Sequence, residues 1–514
     1  MKFSRIIICS ITAILALLCY SCNTKNEQCK NCPTVEYSVS FENPAEHYIN
    51  VELSISNIQD SVIDLRMPVW ATGYYIILDS PKHLTDFRVT TNNGETIAWS
   101  KPLKNSWLIH NGKNKEILVK YRIFANNKSV GEANVDRERA FLATNEVFLF
   151  INNQIQTPST IRITPWEGWS KITTGLKRVE GEENTYYAKD FDVLFDSPIF
   201  IGNQLTINFK HEERDFEICV SRPEGLDTAR FVADFKKIVT AAKNIIGHIP
   251  YENYALIMME PGGGGLEHTN SQAIFTDSDL SFPNPGAYNN FMNFVAHEYF
   301  HLYNVKTIRP IELGPFNYNG ECYTESLWIS EGLTCFYENV IMKQAGLSDA
   351  RTILNYVTDN LKAYEPYQGK NRMSLAQSST DIWLNFFNRD ANGQDVRISY
   401  YTKGPVIGLL LDIAIRQASN NNYSCDDVMR ALYNRYYLKA GRGFTPEEFW
   451  AICEEYSGTS LSEIKDYVYT TCPVDYEKYF NYAGLTMDSE TYRIDTLSET
   501  SPKQKAIRKA IIGE

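Results

Sequence analysis

The hydrophobic period of this chain changes once, and that change decides its architecture. From Glu36 to about Lys210 apolar and polar residues alternate. Ile49, Val51, Leu53 and Ile55 stand between Asn50, Glu52 and Ser54, and the period recurs at Ile117, Val119, Tyr121 and Ile123 and at Leu205, Ile207 and Phe209. A period of two puts the apolar side chains on one face of a strand, and Gly, Asn, Asp and Pro in the gaps supply turns. An antiparallel β-sandwich is expected. After Pro223 the spacing becomes helical: Asp227 stands as an N-cap, Phe231, Phe235, Ile238 and Ala242 share a face, and Gly247 follows as a C-cap. Strand-like runs from Ala255 to Met259 and from Gln272 to Phe275 flank Pro261-Gly262-Gly263-Gly264-Gly265, and helical patterning then dominates to about Tyr469. The expected class is multidomain α+β, with a β-domain over 35–212, a mainly helical domain over 213–472, and a polar tail over 473–514 too short for another full domain.

With 514 residues, 43% of them hydrophobic, the chain has apolar material for two or three cores. Its net charge of -12 is spread along the sequence, which argues for solubility and against a nucleic-acid partner. Lys2 and Arg5 precede an apolar run, Ile6 to Leu18, too short to span a bilayer comfortably, so residues 1–21 are read as a signal peptide and the chain as exported. Ser21-Cys22 closes that run as in a bacterial lipoprotein signal. A lipidated Cys22 would then hold the protein to a bacterial membrane, on its periplasmic or cell-surface face, through a tether at 22–34. Otherwise the protein is periplasmic or secreted. Of the 11 cysteines, Cys9 and Cys19 leave with the signal and Cys22 carries lipid. Cys29 and Cys32 have metal or redox spacing but no partner cluster nearby, and a local disulfide or two free thiols is the simpler reading.

The sharpest chemical signal is His297-Glu298-Tyr299-Phe300-His301. A helix stacks residues i and i+4 on one face, so both imidazoles can hold one Zn2+ while Glu298 activates its water. With 8 histidines in 514 residues, such a motif arises by chance in about one chain in a hundred. A catalytic zinc takes a third protein ligand. Glu331, set among Leu327, Trp328, Ile329, Leu333 and Phe336, would be costly to bury without a counter-charge. Glu325 and Glu338 are the rival ligands, and spacing does not separate the three.

The run His297 to Pro310, followed by Leu327-Trp328-Ile329-Ser330-Glu331-Gly332, resembles the glycyl aminopeptidase family of gluzincin metallopeptidases. The resemblance extends to Gly264-Gly265-Leu266-Glu267-His268-Thr269-Asn270-Ser271, to Tyr400-Tyr401-Thr402-Lys403-Gly404, and to Pro68-Val69-Trp70-Ala71-Thr72-Gly73-Tyr74 in the first domain. It implies a thermolysin-like catalytic domain with a small edge sheet, Glu331 as third ligand, one zinc per chain, and hydrolysis next to a small N-terminal residue. Tyr303 stands where the family generally has Trp, and Thr72 where it has Pro. Members commonly carry a C-terminal PDZ domain, and the tail here resembles a shortened linker or PDZ remnant.

On this resemblance Tyr401 is the oxyanion donor, with Tyr400 as its neighbour of ordinary packing role. Glu267 meets the substrate's α-ammonium group, Gly264 and Gly265 let substrate backbone approach, and Gln272 to Phe275 is the edge strand that pairs with it. His268 is read as a local hydrogen-bonding residue and not a ligand. Lys403 and Arg309 receive no role. The partner implied is a peptide or protein substrate. The alternatives are an endopeptidase of the same chemistry and a catalytically silent surface lipoprotein that binds peptides or glycans.

Overall fold

Tyr48–Ser56 forms a strand that buries Ile49, Val51, Leu53 and Ile55 and leaves the residues between them partly exposed, as the alternation requires. A computed structural model describes residues 33–276, 280–282, 284–385 and 393–514. Residues 1–32, which hold the expected signal peptide, Cys22, most of the expected tether and the Cys29–Cys32 pair, lie outside the described residues.

In the first domain the apolar faces are held in register. Ile49, Val51, Leu53 and Ile55 oppose Ile123, Tyr121, Val119 and Ile117 on the antiparallel strand Glu116–Phe124, and Val51, Leu53 and Ile55 oppose Val39, Tyr37 and Val35 on the other side. Slipping either strand by one residue would turn its apolar set to solvent. The seven-stranded sheet containing them packs with smaller five- and four-stranded sheets around a common core. One pairing departs from the antiparallel expectation: Thr34–Ser40 runs parallel to Ser159–Thr164. Parallel neighbours need a long crossover, and the intervening strands of the domain supply it.

The second domain begins earlier than its helices. Leu205–His211, read above as sandwich, pairs instead with Arg214–Val220 and so joins the catalytic five-stranded sheet. Alternation identifies a strand but not the sheet it enters. A second correction concerns the edge. Ser271–Phe275 is interior, parallel to Asn253–Met259 and antiparallel to Gly264–Glu267, and the open edge is Gly264–Glu267 itself. All five residues of Ser271–Phe275 are buried, as a strand covered on both sides must be.

The helices of the second domain include α1 (Thr228–Ile246), α2 (Pro285–Phe300), α3 (Leu333–Gln344), α4 (Ala350–Tyr364), α5 (Tyr400–Ala418) and α6 (Pro502–Ile512). Asp227 caps α1 by accepting from the Arg230 amide, and Gly247 ends it in the left-handed conformation. The last forty residues are no loose tail. They form a short helix, a hairpin pairing Leu485–Met487 with Ile494–Thr496, and α6. Ile494, Ile507, Ile511 and Ile512 are buried against the helical body, and Arg351 of α4 donates to the Ile494 carbonyl at 3.0 Å. Their apolar residues are too sparse to announce a domain, yet each falls on the face that packs.

An apolar cluster joins the two domains: Ala71, Val130, Phe141, Ala143 and Phe200 pack on Cys219, Ile257, Met259, Leu266, Ala273 and Phe275. The segment around Trp70 goes further. Val69, Trp70 and Tyr75 belong to the core of the catalytic domain, and the Trp70 indole donates to the Asn317 carbonyl at 2.8 Å. The six described cysteines carry free thiols. Among the described residues no helix is long and apolar enough to cross a membrane.

Candidate active site

Helix α2 is started by Asn284, whose side chain accepts from the Ala287 amide, with Pro285 in its first turn. Its last turn carries His297 and Glu298, and His301 follows as the C-cap in helical conformation. The i, i+4 spacing therefore brings the two Nε2 atoms to 3.0 Å. Trp328–Gly332 forms a wide π-helical turn before α3, a geometry frequent at functional sites. It aims Glu331 at both rings, with Oε2 3.3 Å from His301 Nε2 and 3.9 Å from His297 Nε2.

The rival carboxylates lie elsewhere. Glu338, one helical face along α3, sits behind His297, its Oε2 2.7 Å from Nδ1, and also accepts from Asn293 at 2.7 Å. Glu325 is exposed. His301 Nδ1 faces the Asn304 carbonyl at 2.8 Å, and the Asn304 amide donates to the carbonyls of Ile329 and Ser330 at 2.7 and 3.2 Å. Asn304 thus locks the histidine segment to the Glu331 turn. Neither this lock nor the support from Glu338 is visible in spacing, although Asn304 lies within the run that carries the resemblance.

These contacts test the fit of a metal. Each Nδ1 faces an acceptor, so in the neutral form of each ring it is Nε2 that offers a lone pair. Two imidazole nitrogens 3.0 Å apart beside a buried carboxylate call for a cation between them, a proton or a metal ion. The donor set of two imidazoles and one carboxylate, all within 4.8 Å of each other, is that of a catalytic Zn2+, and the partners behind it are those that orient zinc ligands. The residues fit the metal.

The charges respond to this crowding. Burial alone would depress His301, but Glu331 and Glu267 override it and raise the ring to about 10. Burial pushes the Glu298 carboxyl up, His297 and His301 oppose this, Glu267 and Glu331 reinforce it, and the result is about 7. Burial, followed by the Glu331 charge, keeps the Tyr401 phenol protonated far beyond its usual range. Tyr401 enters from the first turn of α5, where Ser399 caps its amide.

Gly265 lies against Glu298: a Cβ there would stand 2.2 Å from Glu298 Oε1, so only glycine lets the edge strand pass this close. Gly264 is exposed just before it on the same strand. Glu267 closes the strand, buried, with Oε1 lacking a hydrogen-bond partner among the described residues. His268 turns away to Asp196, Nδ1 to Oδ1 at 3.1 Å, and so acts locally. Arg309 sits over the Phe316 ring.

Comparisons with known proteins agree with this geometry. The family model "Peptidase M61 N-terminal domain" matches residues 36–203 and "M61 glycyl aminopeptidase" matches residues 290–407. The comparison with curated proteins finds no match. Among solved structures, an aminopeptidase N family protein from Idiomarina loihiensis superposes with a TM-score of 0.83 at 26% identity, over 88% of this chain and 79% of that one. The M1 zinc metallopeptidase of Deinococcus radiodurans gives a TM-score of 0.53 at 11% identity, over 86% and 95% of the two chains. Legionella pneumophila aminopeptidase A gives 0.52 at 11% identity, over 85% and 49%. The two family models, which flank the edge strand and enclose the His297, His301 and Glu331 cluster, establish that the chain belongs to the M61 glycyl aminopeptidase family and is a metallopeptidase.

Proposed function

We propose that this chain is an exported zinc aminopeptidase that releases small N-terminal residues, Gly or Ala, from peptides. His297, His301 and Glu331 hold one Zn2+, which supplies Lewis acidity toward the scissile carbonyl and lowers the pKa of water. Glu298, poised near neutrality by its buried setting, takes the proton of the attacking water and returns it to the leaving amine. Tyr401 donates its hydroxyl proton to the oxyanion as a hydrogen bond. The open edge of Gly264–Glu267 offers backbone groups to an extended substrate.

The observation that carries the exopeptidase reading is Glu267. Its buried Oε1, at the end of the strand that passes Glu298, lacks a hydrogen-bond partner among the described residues, and a substrate α-ammonium is the group that would satisfy it. The preference for small residues rests on the family resemblance. Export and anchoring through a lipidated Cys22 rest on the N-terminal sequence, and Cys22→Ala should release the protein from the membrane fraction.

Peptides beginning with Gly or Ala, compared with their N-acetylated forms, test the central claim. The free amines should be trimmed from the amino end and the blocked forms left intact. Equal cleavage of both, or cleavage at internal bonds, would transfer the chain to the endopeptidases.

A further inference from the structure

Glu267 is held open by a lysine that does not touch it. The Lys306 side chain is only 6% exposed, with its Nζ 3.7 Å from Glu267 Oε1, beyond hydrogen-bond range. An ammonium has three donors. Two of them go across the domain boundary, to Asp196 Oδ1 at 2.9 Å and to Thr72 Oγ1 at 3.1 Å. Asp196 cannot follow the lysine, because the Thr269 amide and hydroxyl hold its Oδ2 at 2.7 and 2.6 Å and His268 meets its Oδ1. Glu267 cannot retreat either. Gly73, in the left-handed conformation at φ +89°, presses its backbone so close that a Cβ would lie 2.5 Å from Oε1.

We propose that Thr72 and Asp196 of the β-domain tether Lys306 so that it neutralises Glu267 without occupying it, leaving Oε1 free for the substrate's α-ammonium. This rests on the reading of Glu267 as the amine-binding carboxylate. A carboxylate buried in this way needs a nearby cation to offset the hydration it has lost. A cation bonded directly to it would compete with substrate. Tying the ammonium to two other acceptors meets both demands. Thr72 is then a positioning residue of this particular chain, since a proline at that position has no hydroxyl to accept from Lys306. The β-domain becomes part of the amine subsite and more than a neighbour of it.

The test uses the zinc-loaded full chain, alanine p-nitroanilide as substrate, and alaninamide and N-acetylalaninamide as inhibitors. In Thr72→Val the freed lysine swings onto Glu267, so KM and the inhibition constant of alaninamide should rise about tenfold. kcat and zinc content should hardly move, and the weak binding of N-acetylalaninamide should not change. Thr72→Ser should restore wild-type behaviour, and Asp196→Asn should shift the same constants further if it folds. Unchanged alaninamide inhibition in Thr72→Val, or a fall in kcat without a rise in that constant, overturns the tether. Glu267→Gln separates the two layers. If it weakens alaninamide while Thr72→Val does not, only the tether fails; if it leaves alaninamide unaffected, the amine-binding reading fails and the tether with it.

Discussion

His297 Nδ1 lies 2.7 Å from Glu338 Oε2, across the packed faces of α2 and α3. This contact fixes the tautomer that points the Nε2 lone pair at Glu331, and it makes the ring a better ligand by drawing its Nδ1 proton outward. Glu338→Gln keeps the shape but removes the charge. Zinc affinity should fall by about 10- to 100-fold, read by competition with a chromophoric chelator, and saturating zinc should recover most of the turnover.

Glu298 differs from Glu338 in what its loss removes. It is buried against Gly265. Glu298→Gln should therefore bind zinc with normal stoichiometry while kcat falls by about 10²- to 10⁴-fold. Near-normal turnover in that variant would refute the assignment of the base.

How much of this was legible in the sequence depended on range. The His297–His301 pair is a local spacing, and its geometry follows from helical period alone. Glu331 stood out by its apolar setting, but Glu338 looked equally suitable, because spacing does not say on which side of His297 a carboxylate will land. Lys306 and Asp196 are 110 positions apart, and Lys306 and Thr72 are 234 apart. Nothing in either neighbourhood marks them as partners, since they meet only when the two domains pack. The strand Leu205–His211 was readable as a strand for the same local reason and misplaced for the same distant one.

The proton competes with zinc for His301. In the metal-free protein the neighbouring carboxylates outweigh burial and hold that ring protonated up to about 10, well above the ordinary value of about 6.5. Zinc binding must displace this proton. Zinc affinity should thus rise about tenfold per pH unit between about 6.5 and 10 and level off above, with about one proton released per ion in calorimetry across buffers. The same raised pKa stabilises the metal-free fold. That contribution is full below about pH 6.5 and is lost as pH rises toward 10, so the metal-free melting temperature should fall over the window in which zinc affinity climbs.

Gly332 and Gly404 face each other where the Glu331 turn crosses α5: a Cβ on Gly404 would stand 2.7 Å from the Gly332 Cα. This contact lets α5 bring Tyr401 toward the ligand turn. Gly404→Ala must push the two backbones apart, at a cost of about 1–3 kcal/mol. A lowered melting temperature should accompany weaker zinc binding and slower turnover, because Glu331 and Tyr401 sit on the displaced elements. A purely global loss of stability, with normal kcat and zinc affinity in the folded fraction at low temperature, would show that the contact is structural only.

Tyr400 and Tyr401 stack with ring centroids 4.6 Å apart, yet they meet different surroundings. Tyr400 is buried in the helical core. Tyr401 is half-buried and feels the Glu331 charge directly after the effect of burial. A phenol kept protonated across the physiological range is a permanent donor, so pH should not switch it off. Its value lies in meeting charge that appears only in the transition state, which lowers the barrier without tightening substrate binding. Tyr401→Phe should consequently cut kcat by about 10²- to 10³-fold with KM and zinc content nearly unchanged. Tyr400→Phe, which removes a hydroxyl from the core rather than from the site, should leave kcat within about threefold of wild type. The reverse order of effects would move the oxyanion role from Tyr401 to its neighbour.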